Sequence, residues 1–523
     1  MAPPQSAHVI ARHRSLAIRR NSRGRLVVVG VIASVAMFCA AGLVRVLSVR
    51  PFLPVDESAN VDYAMRITHG QLPVAGIRIH PEFPGQRRAY QHTSNHPPLY
   101  HAIVGPILRL GQHTHHPKMG LVGARMVSLG AGALTVLLLA ALAWALVGPA
   151  GPIRDMSSMI GRRGAQLMVA SAALIAFLPT FVSVASMVQN DTLNTALVVA
   201  TLVPMARIVR FGSSRGRVAA MAAGAGAACL TRVTSIPVVL VAVGTVMLAG
   251  WIWSSETTAE LRVRLARAAR PGLIVLGVTV VVAGWFVALN EHRYGGPTGG
   301  SAVNAILAST PEPGADSPLS YLLHPRSWLI QFTQLTGGLD SDQYRQPAYA
   351  EAMAYLLMGL LAAGIVAAAI RLRRRTASIS RPQWLCVAAL ALTLALCMSE
   401  IAVHAADGGG VHGRYLLPAA GAIGVGAATV LLCLPRVLGV LTIGVVLLVE
   451  LNGALRSHGF RSQMHTQYHV LGWFSGTRDG MTQMNVPAPA LVLSILVGVT
   501  IAGLVVQVVV LSLLGRRTLT GAR

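Results

Sequence analysis

Apolar runs of membrane-spanning length recur along the whole chain, and this pattern limits the fold more than any single motif does. They lie near 26–49, 121–148, 166–189, 192–209, 218–231, 233–253, 271–289, 350–370, 382–403, 415–434, 437–453 and 488–514. A helix needs about 20 apolar residues to cross a hydrocarbon core of about 30 Å. Backbone amides find no water there, so each run must satisfy its own hydrogen bonds as a helix. The expected architecture is an all-α polytopic membrane protein with about 12 transmembrane helices. Composition agrees, with 54% hydrophobic and 12% charged residues, where soluble domains carry about 25% charged. The run 218–231 is short and rich in Gly and Ala, which suits a tilted, kinked or tightly packed helix.

A net charge of +25 raises the idea of a nucleic-acid partner, but the distribution of the charge argues against one. Arg12, Arg14, Arg19, Arg20, Arg23 and Arg25 precede the first run, and further arginines cluster around 162–163, 207–217, 262–270, 371–381 and 516–517. Acidic residues fall mostly in the alternate loops, the arrangement that the positive-inside rule gives a multi-pass protein with both termini cytoplasmic. The chain then divides into a basic cytoplasmic tail (1–25), a transmembrane domain (26–514) and a second cytoplasmic tail (515–523). Three long outer loops, 50–120, 290–349 and 453–487, exceed ordinary connectors. The first run is longer than a signal-peptide core and lacks an A-x-A-like site, so it reads as a retained span. All five cysteines lie in apolar runs, which leaves no disulfide framework for the outer loops. Lys118 is the only lysine among abundant Ala, Val, Gly and Arg, the signature of a GC-rich coding sequence, and it points to a bacterial plasma membrane.

Two short interfacial helices are expected in the first outer loop. Ala59, Tyr63 and Ile67 recur at helical spacing before Gly70, which offers a C-cap. After Pro97 and Pro98, residues Leu99, Ile103, Ile107 and Leu110 form one stripe ending at Gly111. About thirteen residues cannot span a bilayer, so this helix is expected to lie at the outer interface, apolar face down. That would put His96 and Tyr100 at headgroup depth, with Tyr100 as an aromatic anchor.

Four stretches could carry chemistry, and this topology puts all of them on the outer face: "VDES" (55–58), "NHPPLY" (95–100), "QNDTLN" (189–194) and "HGRYLLP" (412–418). Asp56 or Glu57 could take a proton from a hydroxyl nucleophile; the competing role for Asp56 is a helix N-cap. His96, Arg414 and Arg232, the last in "LTRVTS", could hold a phosphate, although either arginine could equally snorkel to the interface. Asn190 and Asp191 suit a turn in their own right, yet a carboxylate so near the bilayer is costly without partners. His113, His115 and His116 have the ligand type for zinc but no accompanying ligand spacing, and His404 and His412 around Asp407 are in the same position, so no metal is expected. No Walker-type or Rossmann-type glycine signature is present.

Taken together, the acidic pair after the first span, the basic residue before Pro-Pro and an aromatic, and the Asn-Asp turn resemble the GT-C superfamily of membrane glycosyltransferases. The likeness is to its protein-mannosyltransferase and aminoarabinose-transferase-like branch, which uses polyprenyl-phosphate-linked sugars. The resemblance covers the topology of nearly the whole chain, and its motifs are confined to these stretches. It implies Asp56 as the catalytic base with Glu57 beside it, and His96, Arg414 and Arg232 on the donor phosphate. Tyr100, Asp191, Asn190 and Tyr415 would support them. His96 stands where the aminoarabinose-transferase relatives keep a lysine. The implied activity moves a sugar from a polyprenyl-phosphate donor to an acceptor hydroxyl on the extracytoplasmic face, with no cofactor beyond the lipid-linked donor and no divalent metal. The acceptor, a glycan, lipid or protein, is left open. A secondary transporter or lipid flippase is the rival reading, since about twelve spans with both ends inside fits either. A transporter calls for ionisable residues at midplane and matched broken helices, whereas Glu400 and Glu450 sit at span ends. A third reading is an inactive relative that scaffolds other envelope enzymes.

Overall fold

In the computed structural model, the described residues are 5–52, 56–149, 161–254, 261–307, 313–337, 348–374, 379–435, 438–447 and 470–515. The arginines at 516–517, Glu450 and much of the third long loop lie outside them. The first part of the chain forms α1 (Gln5–Ser48), α2 (Glu57–Thr68), α3 (Leu99–His113), α4 (Pro117–Val147), α5 (Arg162–Ala176), α6 (Pro179–Ala185), α7 (Asp191–Phe211) and α8 (Arg215–Cys229). A 3-10 turn, Val233–Ser235, leads into α9 (Ile236–Ser254), α10 (Leu261–Tyr294), α11 (Gly300–Leu307), α12 (Pro318–Leu323), α13 (Pro325–Gly337), α14 (Ala348–Arg373) and α15 (Arg381–Ala406). A 3-10 segment, Gly413–Ala419, then opens α16 (Ala420–Leu432), followed by α17 (Leu438–Leu447), α18 (Val470–Gln483) and α19 (Pro489–Gly515). The α1 helix begins well inside the basic N-terminal segment, so that segment runs into the first span without a break.

Nine helices among the described residues are long and apolar enough to cross a membrane, or ten with the bent pair α5–α6 as one span. The count of twelve is therefore not reached among them, for three local reasons. The run 166–189 is broken at Phe177–Leu178 and bends by 64°, because Pro179 has no N–H to continue the α5 ladder. The Gly/Ala-rich run 218–231 becomes α8, only 15 residues long. The run 437–453 is described only as α17, Leu438–Leu447.

Small residues allow the helices to approach closely. A Cβ at Gly503 of α19 would collide with Met37 of α1, and Gln507 donates across the same seam to Gly30 O and to Ser34 Oγ. Such close approach and cross-helix bonding are what hold helices together where lipid removes the hydrophobic driving force. The largest apolar core lies among α1, α4, α5, α6, α7 and α16. A smaller one joins α2, α3 and the start of α4 through Val61, Met65, Tyr100, Val104, Leu108 and Leu121.

The two short helices expected in the first long loop are present, with two corrections. Gly111 does not end α3, which runs on to His113; the glycine is instead a contact point, where a Cβ would meet the backbone of Gly120 at 2.5 Å. Tyr100 is not an interfacial anchor. It is fully buried, and its hydroxyl lies 2.7 Å from Ser128 Oγ on α4. The outward stripe of α3 is the expected one, with Ile103 and Leu110 exposed.

Candidate active site

Asp56 immediately precedes α2 in a left-handed conformation, φ 67° and ψ −13°, and its side chain makes no cap bond to the helix. The carboxylate is thereby freed from the capping role and turned toward other elements. Arg414 Nη2 donates to Oδ2 at 2.6 Å, and His92 Nε2 lies 2.8 Å from Oδ1. Asn60, one turn into α2, fixes the Asp56 carbonyl through its own N–H at 2.9 Å and through Nδ2 at 3.0 Å. His101 of α3 in turn holds Asn60 Oδ1 at 2.9 Å.

The loop between α2 and α3 is folded onto α2 by buried glutamines. Gln91 Nε2 donates to Ala59 O at 3.0 Å and to Asp62 Oδ2 at 2.8 Å, while its Oε1 accepts from Thr93 N and Oγ1, both at 2.9 Å. Gln86 reaches Ser58 O at 3.1 Å. This network delivers His92 to Asp56. The far side of the loop is tied to the end of α10: Asn290 Nδ2 donates to Asn95 O at 3.0 Å, Arg293 to Pro73 O at 3.0 Å, and Ala75 N to the Tyr294 hydroxyl at 3.1 Å.

Arg414 comes from the 3-10 segment before α16. The glycine ahead of it is required by contact, since a Cβ at Gly413 would sit 2.7 Å from Gln331 O on α13, and Gly413 N donates to Gln334 Oε1 at 2.7 Å. Arg232 follows α8 and is ion-paired with Asp191, the first residue of α7. Asn190 Nδ2 reaches Thr231 O at 3.4 Å and ties that turn to the same helix. The Arg414 and Arg232 guanidiniums lie 5.4 and 6.0 Å from the centre of the Tyr415 ring, so one aromatic ring serves both cations. Nε of each arginine is buried with no partner among the described residues.

These groups line one cavity of about 1560 Å³. Asp56, His92, His96, Asn190, Arg232, Arg414 and Tyr415 all contribute to its wall, as do Glu400 and His412. Glu57 and Tyr100 do not. Glu57 is fully buried and takes a bidentate ion pair from Arg125 of α4, at 2.7 and 2.8 Å, plus the N–H groups of Phe52 at 2.9 Å and Val188 at 3.1 Å. Arg125 also donates to Val46 O and Val49 O. Glu57 therefore locks the end of α1 to α2, α4 and the chain before α7, and its oxygens have no room for a substrate. Asp191 likewise stands behind the cavity wall, against Arg232.

Electrostatics separate the two loop histidines. Burial and then the neighbouring Arg232 push the half-buried His96 ring well below the ordinary histidine value, which keeps it neutral; its carbonyl accepts from Tyr63 Oη at 2.8 Å. For His92 burial also lowers the value, but the bond to Asp56 and the carboxylate charge outweigh it, and the net shift is upward. Burial raises Asp56 as well, yet Arg414 and His92 together hold it well below the usual carboxylate range. The "NHPPLY" stretch had directed attention to His96. His92, four residues earlier in "YQHTSN", carries no sequence signal beyond its nearness to that motif, and Glu400 looks in the sequence like the end of a span.

No protein-family model matches the chain, and no curated protein matches it. Among solved structures, the chain is similar to ArnT from Cupriavidus metallidurans bound to undecaprenyl phosphate, with 15% identity, TM-score 0.47, and 94% of this chain and 77% of that chain covered. It is also similar to the Archaeoglobus fulgidus oligosaccharyltransferase in the apo form, with 14% identity, TM-score 0.43, and 91% of this chain but 56% of that chain covered. In both cases the likeness lies in the overall arrangement of helices.

Proposed function

We propose that the protein is a membrane glycosyltransferase that moves a sugar from a polyprenyl-phosphate donor to an acceptor hydroxyl on the extracytoplasmic face. The observation that carries this reading is the convergence of one carboxylate, Asp56, with two arginines, Arg414 and Arg232, on a single large cavity. Group transfer from a phosphate needs both kinds of residue: a base for the nucleophile and fixed cations for the departing phosphate. Both arginines reach the cavity wall, where a guanidinium can donate to phosphate oxygens. Asn95, Gln189 and Asn304 line the same cavity, and side-chain amides are groups suited to sugar hydroxyls.

In this mechanism the acceptor oxygen attacks the anomeric carbon while its proton passes toward Asp56. The bond to the phosphate oxygen breaks, and the developing charge falls between Arg414 and Arg232, with Tyr415 packed against both. Asp191 keeps Arg232 aimed, Asn190 braces the same turn, and neutral His96 offers a hydrogen bond rather than a charge. A donor phosphate competes with Asp56 for Arg414, so donor binding would itself loosen the grip that weakens the base.

Reconstitution in liposomes with labelled polyprenyl-phosphate-linked sugar tests the reading. Label appearing in an envelope acceptor, lost in Asp56→Asn, is the expected result. Label that crosses the bilayer still attached to its lipid would instead establish a flippase.

A further inference from the structure

The contact between Asp56 and His92 has the geometry of a shared proton. His92 Nδ1 lies 2.9 Å from the Tyr90 carbonyl oxygen. A carbonyl only accepts, so Nδ1 carries hydrogen. Nε2 lies 2.8 Å from Asp56 Oδ1. A neutral ring with its hydrogen on Nδ1 would turn a lone pair toward the carboxylate, and two lone pairs at that distance repel. The geometry is the one that a proton shared between Nε2 and Oδ1 would hold. The pair is thus held in its protonated state, and removal of that proton creates a vacancy for another.

We infer that Asp56 and His92 work as a single base dyad, in which the acceptor's proton is received at Asp56 and comes to rest on Nε2 of His92. This rests on the transferase reading given above. In the step, the acceptor O–H bond breaks and the acceptor oxygen bonds to the anomeric carbon. The bond from that carbon to the phosphate oxygen breaks, and its electron pair leaves with the lipid phosphate. The proton crosses Oδ1 and forms the Nε2–H bond, while Nδ1–H stays on the Tyr90 carbonyl. It is released to the cavity before the next turnover. Asp56 thereby supplies the position and His92 the proton affinity, which answers the weakness of a carboxylate gripped by Arg414 at 2.6 Å.

The charged and titratable groups around the dyad come from several elements. Arg414 faces Oδ2 from the 3-10 segment, Arg232, Glu400, His404, Asp407 and His412 share the cavity wall with His96, and His101 lies behind it. Burial with the charge of Arg414 pushes His412 down to about 4, and burial pushes His101 down to about 3, so both remain neutral with His96. The dyad titrates as a unit. Its protonated form cannot take a further proton, so kcat/KM falls as pH drops through an apparent value above the ordinary histidine value of 6.5 and is full on the alkaline side.

The test uses the full-length protein in nanodiscs, with undecaprenyl-phosphate-linked radiolabelled mannose and arabinose as probe donors and envelope membranes as acceptor. The expected profile has an acid limb in the wild type. His92→Gln keeps a donor toward Asp56 but cannot store a proton, so it should lose about 10²-fold in kcat/KM and lose the limb. Glu400→Gln and Asp407→Asn control for the other cavity carboxylates and should keep the limb at the same pH. An acid limb that survives unchanged in His92→Gln, or vanishes in Glu400→Gln or Asp407→Asn, overturns the dyad. Retention of transfer by Asp56→Asn overturns the transferase-base reading itself, whatever His92 does. Nitrogen NMR of histidine-labelled protein reads the pair without turnover. The resonance lost in His92→Gln should titrate above the ordinary range in the wild type and fall in Asp56→Asn. A His92 ring that stays neutral throughout overturns the proposal even if neither probe donor is consumed.

Discussion

Asp56 and Glu57 are chemically near-identical neighbours with opposite fates. Asp56 adopts φ 67°, a left-handed backbone that costs a non-glycine residue about 1 kcal/mol or more, and asparagine tolerates it as well as aspartate does. Asp56→Asn should therefore remain folded while losing at least about 10²-fold in transfer, scored by labelled-donor turnover alongside size-exclusion behaviour in detergent. Glu57→Gln should do the reverse of a clean active-site change. It leaves Arg125 as an unpaired charge at 0% exposure, and breaking one side of a buried pair costs about 3–5 kcal/mol. Its thermal midpoint should fall clearly below that of the wild type, and an unchanged midpoint would refute the locking role. The sequence placed both acids at the start of a helix, but only contact with Arg125, far along the chain, separates them. His92 was invisible for the same reason: Gln91, reaching back to Ala59 and Asp62, positions it.

At the level of elements, hydrophobic periodicity made α2 and α3 legible, because each repeats its pattern within a dozen residues or so. How the pair fits together was not legible. Gly105 of α3 lies against α2 so closely that a Cβ would sit 2.7 Å from Ala64 O. Gly105→Val should force the helices apart at a cost of about 1–3 kcal/mol and reduce activity, since Asp56 directly precedes α2. Gly130→Ala on α4, which opens into free space, should match the wild type in both stability and turnover. The break between α5 and α6 was equally hidden. Apolar content cannot distinguish a straight span from one interrupted at a proline, and the distinction needs the packing of Phe177 and Phe181 in the core.

For the whole molecule, the arrangement of arginine clusters between runs gave the class of protein and an orientation, while the cavity emerged only from bringing 56, 92, 232 and 414 together across hundreds of residues. The orientation is testable directly. An impermeant thiol reagent applied to intact cells should label Arg88→Cys, in the loop that carries His92, and should reach Arg215→Cys only after permeabilisation. Both positions are exposed, and the opposite labelling pattern would invert the proposed topology. The α10 helix adds a mechanical consequence. Its 34 residues extend about 51 Å, far beyond a hydrocarbon layer, so its tilt and the height of its end respond to bilayer thickness. Asn290, Arg293 and Tyr294 lash that end to the loop bearing His92. The Asp56–His92 pair is thus tethered to a gauge of the membrane, and turnover should shift between nanodiscs of short-chain and long-chain lipids even with donor and acceptor held constant.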